Sequence, residues 1–308
     1  MRIVYVGAFH VPFTTENHVT LGLEALGHEV VKLEERMQTV DTIFGQAMNS
    51  DLLLWTTTAR KENPSAVAAI EMLRHLEQIG VPSASYHLDL WHGITRNGRE
   101  WWKEPMFHVT HMFTVDGHMD KWKEMGFTNV HRTYPAVSPD ASIGRRRKQY
   151  VGGVAFVGSK GESYHPEWPY RRTMLEHLRS KWGSVLRLND RTIREKELND
   201  FYASVRVVVG DSLALEWHET PYWSDRPYET TGRGGFIVMP QLDELQDHFD
   251  GWLPMYPWGD WEQLDAIIKY FLENPRDRAR VAEQCYEITH ARHTYTHRMR
   301  EILAVIFG

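Results

Sequence analysis

The chain has a single cysteine, Cys285, among its 308 residues. That excludes a disulfide framework or a thiolate metal site built within the chain, and it fits a reducing compartment, so a cytoplasmic protein is expected. No run of about 18 apolar residues occurs, and no membrane span is expected. The opening MRIVYVGAFH carries one Arg and a short apolar run up to Gly7, which suits a first strand better than a signal segment. Positive charge is not in surplus. The formal net charge is -6, without the broad basic excess of proteins held mainly by phosphate neutralisation. H-E-x-x-H is absent and no D-x-D stands at a predicted strand end, so the 17 histidines do not suggest a metal site and no metal or other cofactor is expected. A complete G-x-G-x-x-G is missing as well.

What is present is an alternation. The chain is 42% hydrophobic and 12% aromatic, enough at this length for two cores. Apolar runs at 2–8, 28–35, 51–57, 81–88 and 111–116 read as strands, with helices at 18–26 and from Asn63-Pro64 to Gly80. Strands this apolar, separated by helices, predict a parallel sheet covered on both faces. The polar stretch 138–150 interrupts the pattern and holds four consecutive cations, Arg145 to Lys148. It reads as a solvated linker, with an anionic partner surface as the alternative. The scheme then restarts: a strand at 151–159, a helix at 170–182, a strand at 184–190, a helix at 195–204, a strand at 206–212, then helix and strand at 224–240, and two helices from Trp261 onward. The fold class is therefore α/β, with two Rossmann-like doubly wound halves. The expected division is an N-terminal acceptor domain 1–138, a linker 139–150, a C-terminal domain 151–290, and a last helix 291–308 returning towards the first domain.

In open parallel sheets ligands collect beyond the carboxyl ends of the strands. There the sequence places His10, Thr56 to Thr58, His87, Asp89, Trp91 and Asp116 in the first half, and Gly158 to Gly161, Asn189, Asp190, Asp211 and Ser212 in the second. The backbone N–H groups of a Gly-Ser-x-Gly turn, together with a Lys ammonium at x, can hold a phosphate, which singles out Gly158, Ser159 and Lys160. In SDRPYETTGRGGFIVMP, 224–240, Ser224 or Asp225 suits an N-cap and Pro227 the first turn. Arg226 adds a cation at the helix start, and Glu229 offers a carboxylate able to take two hydrogen bonds from a ribose diol.

The segments R-P-Y-E-T-T-G-R-G-G-F-I-V, E-L-Q-D-H-F, W-L-P-M-Y, W-E-Q-L-D-A-I-I-K-Y-F-L-E-N-P-R-D-R and H-T-Y-T-H-R-M resemble the C-terminal domain of CgeB-like (spore-maturation-protein-like) glycosyltransferases over about residues 150 to 305. The resemblance implies a GT-B fold, with two Rossmann-like domains facing across a cleft, and a nucleotide-sugar, UDP-sugar first, bound by the C-terminal domain without a metal. It implies that Glu229 contacts the donor ribose, that Arg226 and the amides from Tyr228 to Thr230 contact the diphosphate, and that Gly158 and Ser159 lie beside it; Asp211 belongs to the same rim. Arg172 matches a recurring family position. The sequence departs from retaining members at Pro221, where a second acid would precede Glu229, and Glu219 is out of register. Relatives by these motifs occur in phages and their hosts, so the protein is expected in the bacterial host cytoplasm if phage-encoded.

An inverting reaction needs a base on the acceptor side. Asp89, in Y-H-L-D-L-W-H-G, is the first candidate and His10 the second, while His87, Trp91 and Asp116 are expected to line the acceptor. A retaining enzyme would need neither base. The acceptor stays open between a hydroxymethylated DNA base, a glycan and a protein. A sugar-nucleotide 2-epimerase and a non-catalytic nucleotide-sugar-binding protein are the competing readings.

Overall fold

The computed structural model describes residues 1–56, 66–94, 100–159, 169–189, 192–213 and 221–308, without the side chains of Trp101 and Asp243. Thr57, Thr58, the predicted helix start at Pro64, Lys160, Gly161, Asp190 and Glu219 lie outside these residues. The chain forms two compact units, Met1–Tyr134 with Tyr295–Gly308, and Pro135–Thr294.

The first unit follows β1 (Arg2–Gly7), α1 (Thr15–Ala25), β2 (Glu29–Glu34), α2 (Val40–Ala47), β3 (Leu52–Trp55), α3 (Ala66–Gln78), β4 (Ser83–His87), β5 (His111–Thr114), α4 (Met119–Glu124) and β6 (Val130–Arg132). All its strands pair in parallel in the order β2-β1-β3-β4-β5-β6. Strand order reverses between β1 and β3, so the switch point lies beside Gly7 and Thr56. β3, LLLW, is buried throughout, because helices cover both faces of a parallel sheet. One face packs Val4, Val6, Leu53, Trp55, Leu73 and Trp122 into a single cluster. Neither α2 nor β6 was expected from the sequence. Both are short, and packing against longer neighbours compensates for weak local signals.

The second unit follows β7 (Gly152–Val157), α5 (Tyr170–Trp182), β8 (Leu186–Asn189), α6 (Glu195–Ser204), β9 (Val205–Val209), α7 (Arg226–Thr231), β10 (Ile237–Pro240), α8 (Asp243–His248), β11 (Met255–Tyr256), α9 (Trp261–Glu273) and α10 (Pro275–Arg292). Its parallel sheet runs β11-β10-β9-β7-β8, reversing between β7 and β9. The stretch 139–150 lies within this unit. The Arg145 amide and the Arg147 guanidinium both bond to Asp200 of α6, each at 2.7 Å. Gly144 also sits so close to α6 that a Cβ there would stand 2.2 Å from the Asn199 carbonyl carbon.

Three helices, not two, follow Trp261. The third, α11 (Tyr295–Phe307), belongs to the first unit, where it packs along α1. A Cβ on Gly22 would stand 2.7 Å from the Tyr295 carbonyl carbon, so the α1–α11 contact is backbone against backbone and only glycine fits. Gly22→Ala is therefore expected to destabilise the first unit by about 1–3 kcal/mol, read as a lower Tm and as faster proteolysis ahead of Tyr295.

His87 ends β4 inside the core, 1% exposed, with its ring stacked on Phe107 at 4.5 Å. Burial pushes its imidazole down to about 4, outweighing the raising effects of the Met106 carbonyl and Asp89. Above pH 6.5 both the folded and the unfolded forms are neutral at this site. Between 6.5 and about 4 only the unfolded chain takes up the proton, so stability falls with pH across that window. The displacement corresponds to about 3 kcal/mol. Urea unfolding at neutral pH and at the bottom of the window should show the wild type losing more stability than His87→Phe by that order.

Candidate functional site

In the second unit the site is built at the sheet's switch point, where β7 and β9 end side by side. Arg226 bridges the two strand ends. Its Nε donates to the Val157 carbonyl at 2.9 Å and its Nη1 to the Asp211 carbonyl at 2.8 Å, with a further close bond from Nη1 to Asp211 Oδ1. Asp211 is fully buried and accepts from a second arginine as well: Arg171 of α5 donates from Nε to Oδ2 at 2.6 Å and from Nη2 to Oδ1 at 3.2 Å. Arg171 Nη1 reaches Ser159 Oγ at 2.8 Å. Both guanidiniums lie over the Phe156 ring, 5.2 Å (Arg226) and 5.4 Å (Arg171) from its centroid.

Gly158 has φ +150°, and a Cβ there would stand 3.0 Å from Arg226 Nη2. The glycine thus lets the guanidinium lie against the backbone, and Nη2 makes no hydrogen bond among the described residues. Two arginines on one buried carboxylate, beside a glycine turn, give a fixed and concentrated positive charge. Such an arrangement can hold an anion such as a diphosphate.

α7 follows at once, and here the expected contacts change. The helix has six residues, and the Asp225 side chain makes no capping bond, so the dipole contribution is small. The Glu229 amide is already bonded to the Asp225 carbonyl at 2.8 Å and is not available to a phosphate. Tyr228 is fully buried, its hydroxyl bonded to Trp223 Nε1 at 3.1 Å and His248 Nδ1 at 2.8 Å, and Thr230 is fully buried too. These two are core residues rather than ligand contacts. Asp211 is buried likewise, its carboxylate bonded to two arginines. Arg172, 69% exposed, pairs with Glu176 on the surface; its neighbour Arg171, which the sequence gave no reason to prefer, is the buried one. Glu229 remains near the surface of the site, with Oε2 bonded to Arg233 Nη1 at 2.6 Å.

In the first unit, Asp116 after β5 is fully buried. Its carboxylate accepts from the amides of Trp91 and His92, each at 2.9 Å, and of His118 at 3.0 Å, and from His92 Nδ1 at 3.1 Å and His118 Nδ1 at 2.7 Å. Burial alone would raise this carboxyl, but the two histidines and the amides hold it far below the ordinary range. Among the described residues, His92, Asp116 and His118 form a group with metal-ligand side chains close together. As drawn, however, the carboxylate is saturated by N–H donors and acts as a clamp joining the loops after β4 and β5. His87 and Trp91, expected to line an acceptor, are core residues, 1% and 4% exposed, in an aromatic cluster with Phe107. Asp89 is exposed at the end of β4. His10 is exposed beyond β1, with Nδ1 3.4 Å from Glu34, whose carboxylate also accepts the Phe9 and His10 amides. At the switch point of this sheet the structure adds Glu16, which the sequence reading passed over. It is 4% exposed, and burial raises it to about 7 against the lowering effect of the Glu16 and Ala8 amides. The tell-tale was Gly7, whose missing Cβ makes room for the Glu16 side chain at 2.6 Å.

Comparisons agree with this architecture. An alpha-glucosyltransferase solved with UDP-glucose and DNA containing an abasic site is 10% identical, with a TM-score of 0.70 over 100% of both chains. HepE of Anabaena, solved with UDP-glucose, is 10% identical, with a TM-score of 0.60 over 99% of each chain. A glycosyltransferase from Rickettsia africae is 9% identical, with a TM-score of 0.59 over 99% of this chain and 97% of the other. At such identities the likeness is one of fold. No curated protein matches the sequence. The family model described as glycosyl transferase-like matches residues 145–304, more than half of the chain. The protein therefore belongs to the glycosyl transferase-like family and carries its chemistry on two Rossmann-like domains of GT-B type.

Proposed function

We propose that the protein transfers a sugar from a nucleoside diphosphate sugar, UDP-sugar first, to an acceptor hydroxyl, with the donor held by the second unit. The observation that carries this reading is Arg226: it ties together the ends of β7 and β9 and leaves Nη2 beside Gly158 without a partner among the described residues. A diphosphate at that point would meet Arg226 Nη2, the Gly158–Ser159 turn and the field of Arg171. Glu229 would accept the ribose diol. Several neighbouring structures contain UDP or UDP-glucose, which supports uracil as the base.

Transition-state stabilisation then comes from fixed charges aimed at the departing diphosphate. The two arginines supply the positive charge that a divalent metal supplies in other transferases. On the acceptor side, Asp89 is the exposed carboxylate at a strand end and serves as the base if the reaction inverts the anomeric carbon. His10, also exposed, is the second choice. Asp116 and its two histidines hold the Asp89 loop in place.

The motif around Arg226 supports a place in the CgeB-like branch. One neighbour was solved with DNA carrying an HMU base, which supports a hydroxymethylated base as acceptor; the motif resemblance is the ground for a phage enzyme working in the host cytoplasm. The basic run is a weaker argument for DNA. It walls a groove of about 760 Å³ in which Arg145, Arg147 and Lys196 alternate with Asp140, Glu197 and Asp200.

Calorimetry separates the diphosphate contact from the rest of the donor. Arg226→Lys keeps a charge but removes Nη2, and it should weaken UDP about 10- to 100-fold while leaving uridine affinity nearly unchanged. Equal losses for UDP and uridine, or no binding of UDP to the wild type, would refute the donor site.

A further inference from the structure

Arg233 is an unusual residue to find where it is. It stands just past α7, in the turn G-R-G-G, and is 4% exposed. Its Nη1 donates twice to the same neighbour, to the Glu229 carbonyl at 3.1 Å and to Glu229 Oε2 at 2.6 Å. Its Nε is buried with no hydrogen-bond partner. A guanidinium buried with an unsatisfied N–H is a standing cost to folding, and a helix end could be capped without it. Gly234, at φ +71°, already turns the chain, and the Gly234 and Gly235 amides bond back to Thr231 and Thr230 at 2.9 Å each. The arginine is therefore not needed to end the helix.

Its effect falls on Glu229. One carboxylate oxygen is fixed by Nη1, and the other, Oε1, makes no hydrogen bond among the described residues. We propose that Arg233 is a positioning residue of the donor site, holding Glu229 in one rotamer so that its other oxygen meets a ribose diol. The proposal rests on the donor reading given above.

The charges around Glu229 set what removal of Arg233 would do. Burial is the largest influence and raises the carboxyl above its ordinary range; Arg233 pulls it down, while Asp225 at the start of α7 and Asp140 from the preceding segment push it up. Tyr202 of α6 is the other titratable neighbour, and burial lifts its hydroxyl to about 12, so it stays neutral. Asp140 is itself held by the Ser138 hydroxyl at 2.6 Å. Among the described residues, Arg233 is thus the leading cation opposing burial and two carboxylates. Without it, Glu229 holds its proton to higher pH, and a protonated acid accepts the diol poorly.

The test is UDP affinity by calorimetry, from mildly acid to mildly alkaline pH, for the wild type and Arg233→Met, Arg233→Lys and Glu229→Gln. The wild type should bind more tightly as pH rises through the ionisation of Glu229. Glu229→Gln should lack that component and so report the titration of UDP's own phosphate. Arg233→Met should bind about tenfold more weakly at neutral pH and recover most of the loss at alkaline pH, because its midpoint is displaced upward by about one unit. Arg233→Lys, which keeps the charge, should move the midpoint back towards the wild type. If Arg233→Met does not fold, Arg233→Gln serves in its place, with the same expected displacement. An Arg233→Met curve parallel to the wild type at every pH would overturn the proposal while leaving the donor site standing. Absence of UDP binding by the wild type would overturn both.

Discussion

The buried carboxylate of Asp211 organises the strand ends of the second unit. A carboxylate with no access to water is tolerable only when opposite charge and hydrogen bonds surround it, and Asp211 is met by two guanidiniums, one from α5 and one from the start of α7. The cations are held in turn, because neither arginine can swing into solvent without stranding the acid. Arg226 is fixed further by the carbonyls at the ends of two adjacent strands, and both arginines by the face of Phe156. The result is positive charge set in place before any ligand arrives. Catalysis gains from charge that need not reorganise when a diphosphate departs. The strand order explains the location, since a reversal between β7 and β9 opens a crevice that helices on either side leave uncovered.

The first unit uses the same device for a different end. Asp116 is as buried as Asp211, but its partners are three backbone amides and two imidazoles instead of guanidiniums. The donors come from the loops that follow β4 and β5, so this acid fixes the course of the chain past Asp89. It thereby controls where an exposed carboxylate stands without touching a ligand itself. The aromatic residues of the same loop, His87 and Trp91, turn inward and join Phe107 and Trp122 in the core. Glu16 stands at the β1–β3 reversal, where burial pushes its carboxyl up to about 7.

Several elements were legible because their physics is local. Helices α5 and α6 fall where amphipathic spacing and stop signals put them, and β1, β3 and β7 are apolar runs that could only be buried strands. Arg226 and Glu229 were singled out by their place at a helix start, and the structure sets Arg226 at the ends of β7 and β9. The second arginine on Asp211 was not singled out: Arg171 lies 40 positions before that acid, and Arg171 and Arg172 look alike until α5 packs and one of them faces inward. Of the amides expected along α7, that of Glu229 is spent on the Asp225 carbonyl, because the short helix uses it in its own first turn. Tyr228 and Thr230 could not be told from ligand contacts, since a polar side chain at a motif position serves equally well in a core hydrogen-bond network.

By itself, then, the sequence determined the class of fold, the alternation of elements, the absence of a disulfide framework and the two motif residues nearest the proposed donor. These depend on periodicity, composition and short-range chemistry, which a linear chain carries openly. Tertiary structure alone decided which arginine meets Asp211, which acid is spent on amides and which histidine is core. Each of those depends on contacts between residues far apart in the chain, where burial, not identity, gives a side chain its role.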